Sequence, residues 1–199
     1  IQLLEERLEG KLQGKDLQYF QFISDGARRM QHMLSDLLEY SRVNTSTDSV
    51  RLLSLKVPLE AAISNLQGQI EASNTQITIG KLPELEIIPS QIERLFSNLI
   101  KNAIKYNENE PKIEINSIQK GRFTEILVQD NGIGIDPQYF DRIFKIFQRL
   151  HSREEYPGNG VGLAVCQRIV LKHGGSIEVD SSLGKGSIFI IKLPNERAR

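Results

Sequence analysis

The sequence predicts an α+β fold in which a helical hairpin precedes a two-layer α/β sandwich. Residues 16–43 contain no proline and keep a heptad spacing of apolar side chains, which is typical of a helix in a bundle. After about residue 52, expected strands and helices follow one another without the regular βαβ alternation of a doubly wound sheet. Four short segments, at 98–107, 130–134, 144–147 and 158–163, then occur within about 65 residues.

Composition and charge are those of an ordinary globular protein. Hydrophobic residues make up 39% of the 199 and charged residues 25%, enough for one core with a small appendage. The 25 basic residues balance the 25 acidic ones, so we expect no nucleic-acid partner and no direct membrane contact. The single cysteine, Cys166, cannot form an internal disulfide, which favours a reduced, cytosolic setting. Residues 1–7 lack a signal-peptide layout, so we expect the chain to begin inside a larger protein.

Residues 1–44 are predicted to form the helical hairpin. Steps of three and four residues within 16–43 connect the stripe positions Phe20, Ile23, Ala27, Met30, Leu34, Leu37 and Ser41. Further apolar residues at Met33, Leu38 and Tyr40 widen the stripe to that of a four-helix bundle. Residues 1–12 look like the last turns of a preceding helix, and Gly10 and Gly14 mark the turn. We therefore expect an antiparallel hairpin with a short first arm.

A polar linker at 45–52 separates the hairpin from the predicted sandwich at 53–199. Pro58 and Pro89 each favour the first turn of a helix. A hairpin is expected around Lys120 and Gly121. The expected helices cover 58–73, a long segment from Pro89, 139–148 and 161–172. The expected strands cover 52–57, 76–80, 84–88, 112–118, 123–129, 176–179 and 187–193.

Asn98 and Asn102 lie one helical turn apart, so their amides share a face of the helix that begins at Pro89. Asn102 is the better candidate for Mg²⁺, because magnesium prefers hard oxygen ligands and combines few protein groups with substrate phosphates. Lys105 can reach the same phosphates as a mobile positive charge. Alternatively, the asparagines are solvated helix residues and Tyr106 belongs to the core.

Asp130 follows the apolar strand residues 126–128 and precedes Gly132 and Gly134. A carboxylate at the end of a buried strand can accept the exocyclic amine of adenine, whereas guanine presents an oxygen there. We therefore expect ATP to be favoured over GTP by about 1–3 kcal/mol. The two glycines let the backbone approach the base and ribose, and Ser187 is placed to hold a water near the base. Alternatively, Asp130 caps a hairpin turn.

The third segment has the character of a lid. Phe144 and Phe147 are expected on one face of a short helix, either as core anchors or as the seat of a lid, and Arg149 can reach the γ-phosphate. The loop 151–157 is polar, charged and followed by a glycine, which predicts mobility.

The fourth segment opens the next helix with Gly158, Gly160 and Gly162. Successive backbone amides at a helix N-terminus form an anion site suited to phosphates. The glycine spacing differs from the dinucleotide fingerprint, and the sequence contains no P-loop motif. The turn 183–187 precedes a strand, which indicates a hairpin turn. His32, His151 and His173 are scattered without metal-ligand spacing.

In this order, the four segments resemble the N, G1, F and G2 boxes of histidine kinases. This family shares an ATPase superfamily with DNA gyrase, the mismatch-repair ATPases and heat-shock chaperones. The resemblance covers nearly the whole chain, since 174–187 is similar to the family's closing strands and 22–42 to the second helix of the dimerization and phosphoacceptor hairpin in phytochrome-like members. It implies a sandwich of the histidine kinase/gyrase type and a hairpin that forms a dimeric four-helix bundle.

The resemblance also implies an ATP site on the matching positions. Asn102 would hold Mg²⁺, Asp130 would recognise adenine, and Asn102, Lys105 and Arg149 would be catalytic. The implied nucleotide-binding positions are Asn98, Asn102, Lys105, Tyr106, Asp130, Gly132, Gly134, Ile135, Phe147, Gly158, Gly160, Val161, Gly162, Leu163 and Ser187.

The chain departs from the family in one respect. The phosphoacceptor histidine should lie on the first hairpin helix, before an acidic residue and a proline, in a stretch that would fall upstream of Ile1. His32, flanked by Gln31 and Met33 on the second helix, does not fit that motif. The resemblance therefore implies a protein-histidine kinase whose acceptor lies outside this chain.

The same resemblance implies a homodimer formed through the hairpin and a response-regulator receiver domain as partner. It implies a cytoplasmic protein or the cytoplasmic part of a membrane-anchored sensor. Two other functions stay open, which are an ATPase or conformational switch of the same superfamily and a regulatory nucleotide-binding module without catalysis.

Overall fold

A computed structural model describes residues 2–8, 11–45, 48–150, 152, 155–156 and 158–196. The chain divides into two compact units, Ile1–Glu39 and Tyr40–Arg199. The predicted turn residue Gly10, linker residues 46–47 and residues 151, 153, 154 and 157 of the predicted lid lie outside the described residues. No helix of the described segments combines the length and apolar character needed to cross a bilayer.

The first unit contains α1 (Gln2–Leu8) and most of α2 (Gly14–Thr45). The predicted long helix is confirmed, with about two further residues at each end. Much of its apolar stripe is exposed, including Ile23, which is 66% exposed, and Met30, Leu34 and Leu38. Exposed apolar area of this extent on a helix is typical of an association surface. The antiparallel arrangement and the domain boundaries at 44 and 52 stay predictions.

Among its described residues, the second unit contains four complete α-helices and seven strands. The helices are α3 (Lys56–Asn65), α4 (Gln67–Ala72), α5 (Pro89–Lys105) and α6 (Gly162–Lys172). The strands are β1 (Arg51–Ser54), β2 (Gln76–Ile79), β3 (Glu84–Ile87), β4 (Lys112–Lys120), β5 (Phe123–Asp130), β6 (Ser176–Ser181) and β7 (Ser187–Pro194). Strands β1 and β3 form a separate antiparallel pair, and the larger sheet has the order β2-β4-β5-β7-β6. Only its β2–β4 pair is parallel.

A single core lies between the larger sheet and the helices. Alternate residues of β4, β5 and β7 point into it, as the burial of Ile115, Ile126 and Ile191 shows. Helix α5 contributes Leu95 and Phe96 from its buried face. Each such side chain stabilises the fold by about 1.5–3 kcal/mol through loss of its contact with water. The two-layer α+β architecture expected from the sequence is confirmed.

The helix expected to open at Pro58 has different bounds. It begins two residues earlier, at Lys56, and a break at Leu66 divides it into α3 and α4. Pro58 is tolerated as the third helical residue because the N–H groups of the first turn have no partner within a helix. The preceding strand accordingly ends at Ser54.

The prediction of a helix over 139–148 is wrong. This stretch begins with a single 3₁₀ turn, Pro137–Tyr139, and continues as turns. Phe147 has φ +62°, which no α-helix contains, and its N–H donates to the Gly160 carbonyl at 3.0 Å. Phe144 is buried whereas Phe147 is 47% exposed, so the two rings do not share a face. At Phe147 a tertiary hydrogen bond takes the place of helical pairing, and the residues around it keep only the hydrogen bonds of successive turns.

The last turn of α2 belongs to the second unit and is held there by side chains of α5 and α6. The Val43 carbonyl, near the helix end and without an intrahelical partner, accepts from Gln91 Nε2 at 2.9 Å and from Lys172 Nζ. Arg168 Nη1 donates to the Tyr40 hydroxyl at 3.0 Å, and its guanidinium lies 4.5 Å from the centre of that ring. Polar and cation–π contacts thus fix this turn.

His173 is a core residue that connects the end of α6 with the start of α5. Its ring is 2% exposed, and its Nε2 accepts from the Ile88 N–H at 3.0 Å. Its Nδ1 lies 2.8 Å from the Ile169 carbonyl, to which it donates. The Ile88 N–H precedes the first turn of α5, so this ring supplies an acceptor where the helix has none.

Candidate nucleotide-binding site

Helix α5 carries the first group of candidate residues, as the sequence predicted. Pro89 begins the helix at its first position, and Asn98 and Asn102 lie one turn apart on it. Asn98 Nδ2 donates to the Gly162 carbonyl at 3.3 Å, which brings α5 against the start of α6. The half-buried Asn102 amide makes no hydrogen bond with the described residues. Its oxygen is therefore available to a ligand.

Lys105 follows at the end of α5 and contacts Tyr106. Its Nζ donates to the Tyr106 hydroxyl at 2.7 Å and lies 4.2 Å from the centre of the Tyr106 ring. Burial, and secondarily the Arg149 guanidinium, lower the pKa of Lys105 to about 8. Partial burial in a site with a second cation disfavours the ammonium form, which is the electrostatic character expected of an anion-binding site.

Asp130 is the last residue of β5, and its carboxylate is fixed by two backbone donors. Oδ1 accepts from the Gly132 N–H at 2.8 Å and the Ser187 N–H at 3.2 Å. Burial raises the pKa of Asp130, although these two hydrogen bonds oppose the shift. Oδ2 has no donor among the described residues, so it can accept from a ligand.

The backbone around Asp130 is too crowded for side chains at two glycines. A Cβ at Gly186, which has φ +83°, would lie 2.0 Å from the Asp130 carbonyl oxygen. A Cβ at Gly134, with φ +73°, would lie 2.0 Å from the Ser182 carbonyl oxygen. These close approaches place the turn between β6 and β7 against the segment after β5. The hairpin expected around 183–187 is present, because β6 and β7 pair on either side of this turn.

The Ser181 hydroxyl joins these two segments. It accepts from the Ile135 N–H at 2.8 Å and donates to the Gly186 carbonyl at 2.7 Å. It also lies 3.0 Å from the Ser187 hydroxyl, its cross-strand neighbour in β7. Sequence reasoning missed Ser181; the available signal was its position opposite Ser187 in the expected hairpin.

The lid segment contacts the glycines that precede α6. A Cβ at Gly160, which has φ +71°, would lie 2.4 Å from the Gln148 carbonyl oxygen. A Cβ at Gly158 would lie 3.0 Å from Lys105 Nζ, so that ammonium lies close to the backbone at the start of this segment. Arg149 Nη2 donates to the Ser152 carbonyl at 3.0 Å and to the Tyr156 carbonyl at 2.7 Å.

Tyr106 contacts both the segment after β5 and the end of α5. Its carbonyl accepts from the Ile133 N–H at 3.0 Å, and its hydroxyl accepts from Lys105. Its ring centre lies 5.0 Å from that of Tyr156, with the planes inclined at 46°. Sequence reasoning missed Tyr156 as a contact, although it is an aromatic residue within an otherwise polar loop.

The candidate residues thus form two groups. The first surrounds the end of β5 and contains Asp130, Gly132, Gly134, Ile135 and Ser187. The second surrounds the start of α6 and contains Asn98, Asn102, Lys105, Tyr106, Arg149, Gly158, Gly160 and Gly162, with Val161 buried and Leu163 half-buried beside them. The Phe147 backbone joins the second group, whereas its ring is largely exposed. Among the described residues, no group of three His, Cys, Asp or Glu side chains could hold a metal ion.

Residues 87–197 match the family model described as histidine kinase-, DNA gyrase B-, and HSP90-like ATPase. Cyanobacterial phytochrome A of Nostoc sp. is 41% identical over 195 residues, which are 98% of this chain and 26% of that protein. The adaptive-response sensory kinase SasA of a Synechococcus strain is 32% identical over 201 residues, covering 98% of this chain and 53% of the kinase. The chain therefore spans about a quarter to a half of the length of these relatives.

Solved structures show the same fold. The mycobacterial sensor histidine kinase MprB superposes with a TM-score of 0.65 and 23% identity, over 75% of this chain and 99% of that one. Full-length ShkA in complex with AMPPNP superposes with a TM-score of 0.72 and 21% identity, over 94% of this chain and 40% of that one.

Proposed function

Because the chain belongs to the family of histidine kinase-, DNA gyrase B- and HSP90-like ATPases, we propose that it is the ATP-binding catalytic part of a two-component sensor histidine kinase. It transfers the γ-phosphoryl group of ATP to a histidine on a hairpin helix. The observation that carries this proposal is the junction at Tyr106, which joins a buried carboxylate acceptor to a cluster of cations and glycine amides. An adenine at the first part and a triphosphate at the second match that distribution of charge.

The residues take distinct roles in this proposal. Asp130 Oδ2 accepts the adenine amine, and the hydroxyl of Ser187 holds a water near the base. The backbone amides from Gly158 to Gly162 receive phosphate oxygens at the start of α6. Lys105 and Arg149 offset the negative charge that develops on the transferred group, a task in which positioning and electrostatics contribute most.

Asn102 fits the family's metal ion. Its half-buried amide oxygen has no partner within the described residues and is a hard donor of the type that Mg²⁺ prefers. One protein ligand is sufficient for a magnesium ion that also binds two phosphates. When bound, the ion would neutralise phosphate charge.

The partners follow from the exposed face of α2 and from the relatives. The exposed apolar stripe, with Ile23, Met30 and Leu34, suits a homodimeric four-helix bundle, in which each apolar stripe is covered by the others. After transfer to histidine, the phosphoryl group passes to an aspartate of a response-regulator receiver domain. The protein acts in the cytoplasm or as the cytoplasmic part of a membrane-anchored sensor.

Transfer to a separate acceptor tests the proposal. The chain is incubated with γ-labelled ATP and a polypeptide that carries the hairpin helix with its histidine. We expect label on that polypeptide, lost in acid and retained in base, as for a phosphohistidine. Binding of ATP without transfer to any supplied histidine helix would favour a regulatory module, and hydrolysis without transfer would favour an ATPase switch.

Lys105 predicts how ATP affinity depends on pH. The pKa of Lys105 is about 8 in the ligand-free protein, and phosphate anions favour the charged form, so binding raises that pKa. Affinity is then constant well below pH 8 and falls above it, by about tenfold between about pH 7 and pH 9. Calorimetric titrations across this range measure the fall. Lys105→Arg keeps its charge throughout and should give a flat profile; an equal fall in both proteins would contradict the assignment.

A further inference from the structure

The segment after Phe147 folds back onto residues assigned to the phosphate part of the site. Arg149 donates to the carbonyls of Ser152 and Tyr156 at 3.0 and 2.7 Å. The Tyr156 ring lies 5.0 Å from the Tyr106 ring. The inclination of 46° is among the tilted arrangements that aromatic pairs adopt with a gain in free energy.

In this arrangement, both cations assigned to the phosphates have intramolecular partners. The Arg149 guanidinium is bound to carbonyl oxygens of its own segment. The Lys105 ammonium is bound to the Tyr106 hydroxyl and lies over the Tyr106 ring. Charge-assisted hydrogen bonds are stronger than neutral ones, so phosphate oxygens must compete with these partners for both side chains.

Tyr156 is the residue that connects these contacts. Its carbonyl accepts from Arg149, and its ring packs on Tyr106, the residue whose hydroxyl accepts from Lys105. Tyr106 also contacts the adenine part through the Ile133 N–H. The Tyr156 ring therefore packs on the residue that contacts both parts of the site.

We propose that Tyr156 is a latch residue that holds Tyr106, Lys105 and Arg149 in a closed, ligand-free arrangement and thereby lowers the affinity and the association rate for nucleotide. The proposal rests on the function proposed above. A ligand that binds only the open arrangement has an apparent dissociation constant equal to its intrinsic value divided by the open fraction. Weakening the latch raises that fraction, so it tightens binding without adding any contact to the nucleotide.

Binding of a non-hydrolysable ATP analogue to Tyr156→Ala tests this directly. The Tyr156 ring is lost in this variant, whereas the backbone carbonyl that Arg149 binds is retained. We expect an association rate and an affinity about three- to tenfold higher than in the unaltered chain, measured by stopped flow and calorimetry. Tyr156→Phe keeps the ring and should therefore lie much nearer to the unaltered protein than Tyr156→Ala does. Weaker or unchanged binding by the alanine variant would overturn the proposal.

A second measurement needs no nucleotide. The Phe147 N–H that donates to Gly160 is protected by the packing of the lid segment on the glycines. In ligand-free Tyr156→Ala, hydrogen exchange at Phe147 and at residues 158–161 should become several-fold faster, because local opening controls exchange. Unchanged exchange there would also overturn the latch. If no variant binds ATP, the proposed function fails and the latch falls with it; if ATP binds equally well to all variants, only the latch is overturned.

Discussion

Asn102→Ala should reduce Mg²⁺-dependent phosphoryl transfer by about a hundredfold or more, the largest effect that we expect from a single substitution in this chain. The amide oxygen of Asn102 is a half-buried hard donor on α5, one turn before Lys105. A metal that stabilises phosphate charge contributes several kcal/mol, and each ~1.4 kcal/mol is a factor of ten in rate. Transfer of label to a supplied histidine helix, measured over a range of Mg²⁺ concentrations, gives the effect.

Two variants of α5 are matched controls for Asn102→Ala. Asn102→Asp keeps an oxygen at the same position and should recover part of the rate, with an altered Mg²⁺ requirement. Lys101→Ala changes the neighbouring exposed position on the same helix and should leave the rate as it was. An unchanged Mg²⁺ dependence in Asn102→Ala would mean that the metal is held elsewhere.

Asp130→Asn should weaken ATP binding by about ten- to a hundredfold. Oδ1 of Asp130 accepts two backbone N–H groups, so an asparagine must place its oxygen there and its NH₂ where Oδ2 lies. A donor would then face the adenine amine instead of an acceptor. Hydrogen bonds to charged groups contribute about 1.5–3 kcal/mol, which corresponds to this loss of affinity. Competition of ATP and GTP for the site measures it, and the preference for ATP should shrink because guanine presents an oxygen there.

Loss of folding would not account for weaker ATP binding by Asp130→Asn. Burial raises the pKa of Asp130, so at neutral pH the ionised carboxylate opposes folding more than a neutral group would. The protonated Asp130 carboxyl favours folding at low pH, and this favourable free energy is lost as the pH rises through the pKa of Asp130. Asp130→Asn should therefore retain or increase the free energy of unfolding, measured by denaturant titration. The exposed Asp180→Asn on β6 is the matched control for charge; equal ATP affinity in both variants would contradict the adenine role.

Local signals predicted the regular elements well. The heptad spacing of α2, Pro89 at the first position of α5 and the turn at Gly121 depend on neighbours in sequence, and the structure has all three. The glycine-rich segments predicted which residues would come together because their backbone geometry limits what can approach them, as at Gly134 and Gly160.

Contacts between distant segments account for what sequence reasoning missed. Residues 139–148 carry a helical pattern, but the hydrogen bond from Phe147 to Gly160 and a positive φ prevent a helix. The hydrogen bond from the Ile135 N–H to Ser181 and the ring contact between Tyr106 and Tyr156 likewise join residues that are 46 and 50 positions apart in the sequence. Such contacts have no periodic signature in the chain.

The contacts of Tyr40 and Val43 with α5 and α6 determine where the chain can be truncated or fused to another domain. A fragment that starts after residue 45 would remove the groups that Arg168 and Gln91 bind, so a stable minimal fragment should start upstream of Tyr40. A foreign domain would then be joined within α2 itself. Since a helix turns by about 100° per residue, each residue added or removed at that junction changes the angle at which the foreign domain leaves the helix, so the length of the graft sets that angle.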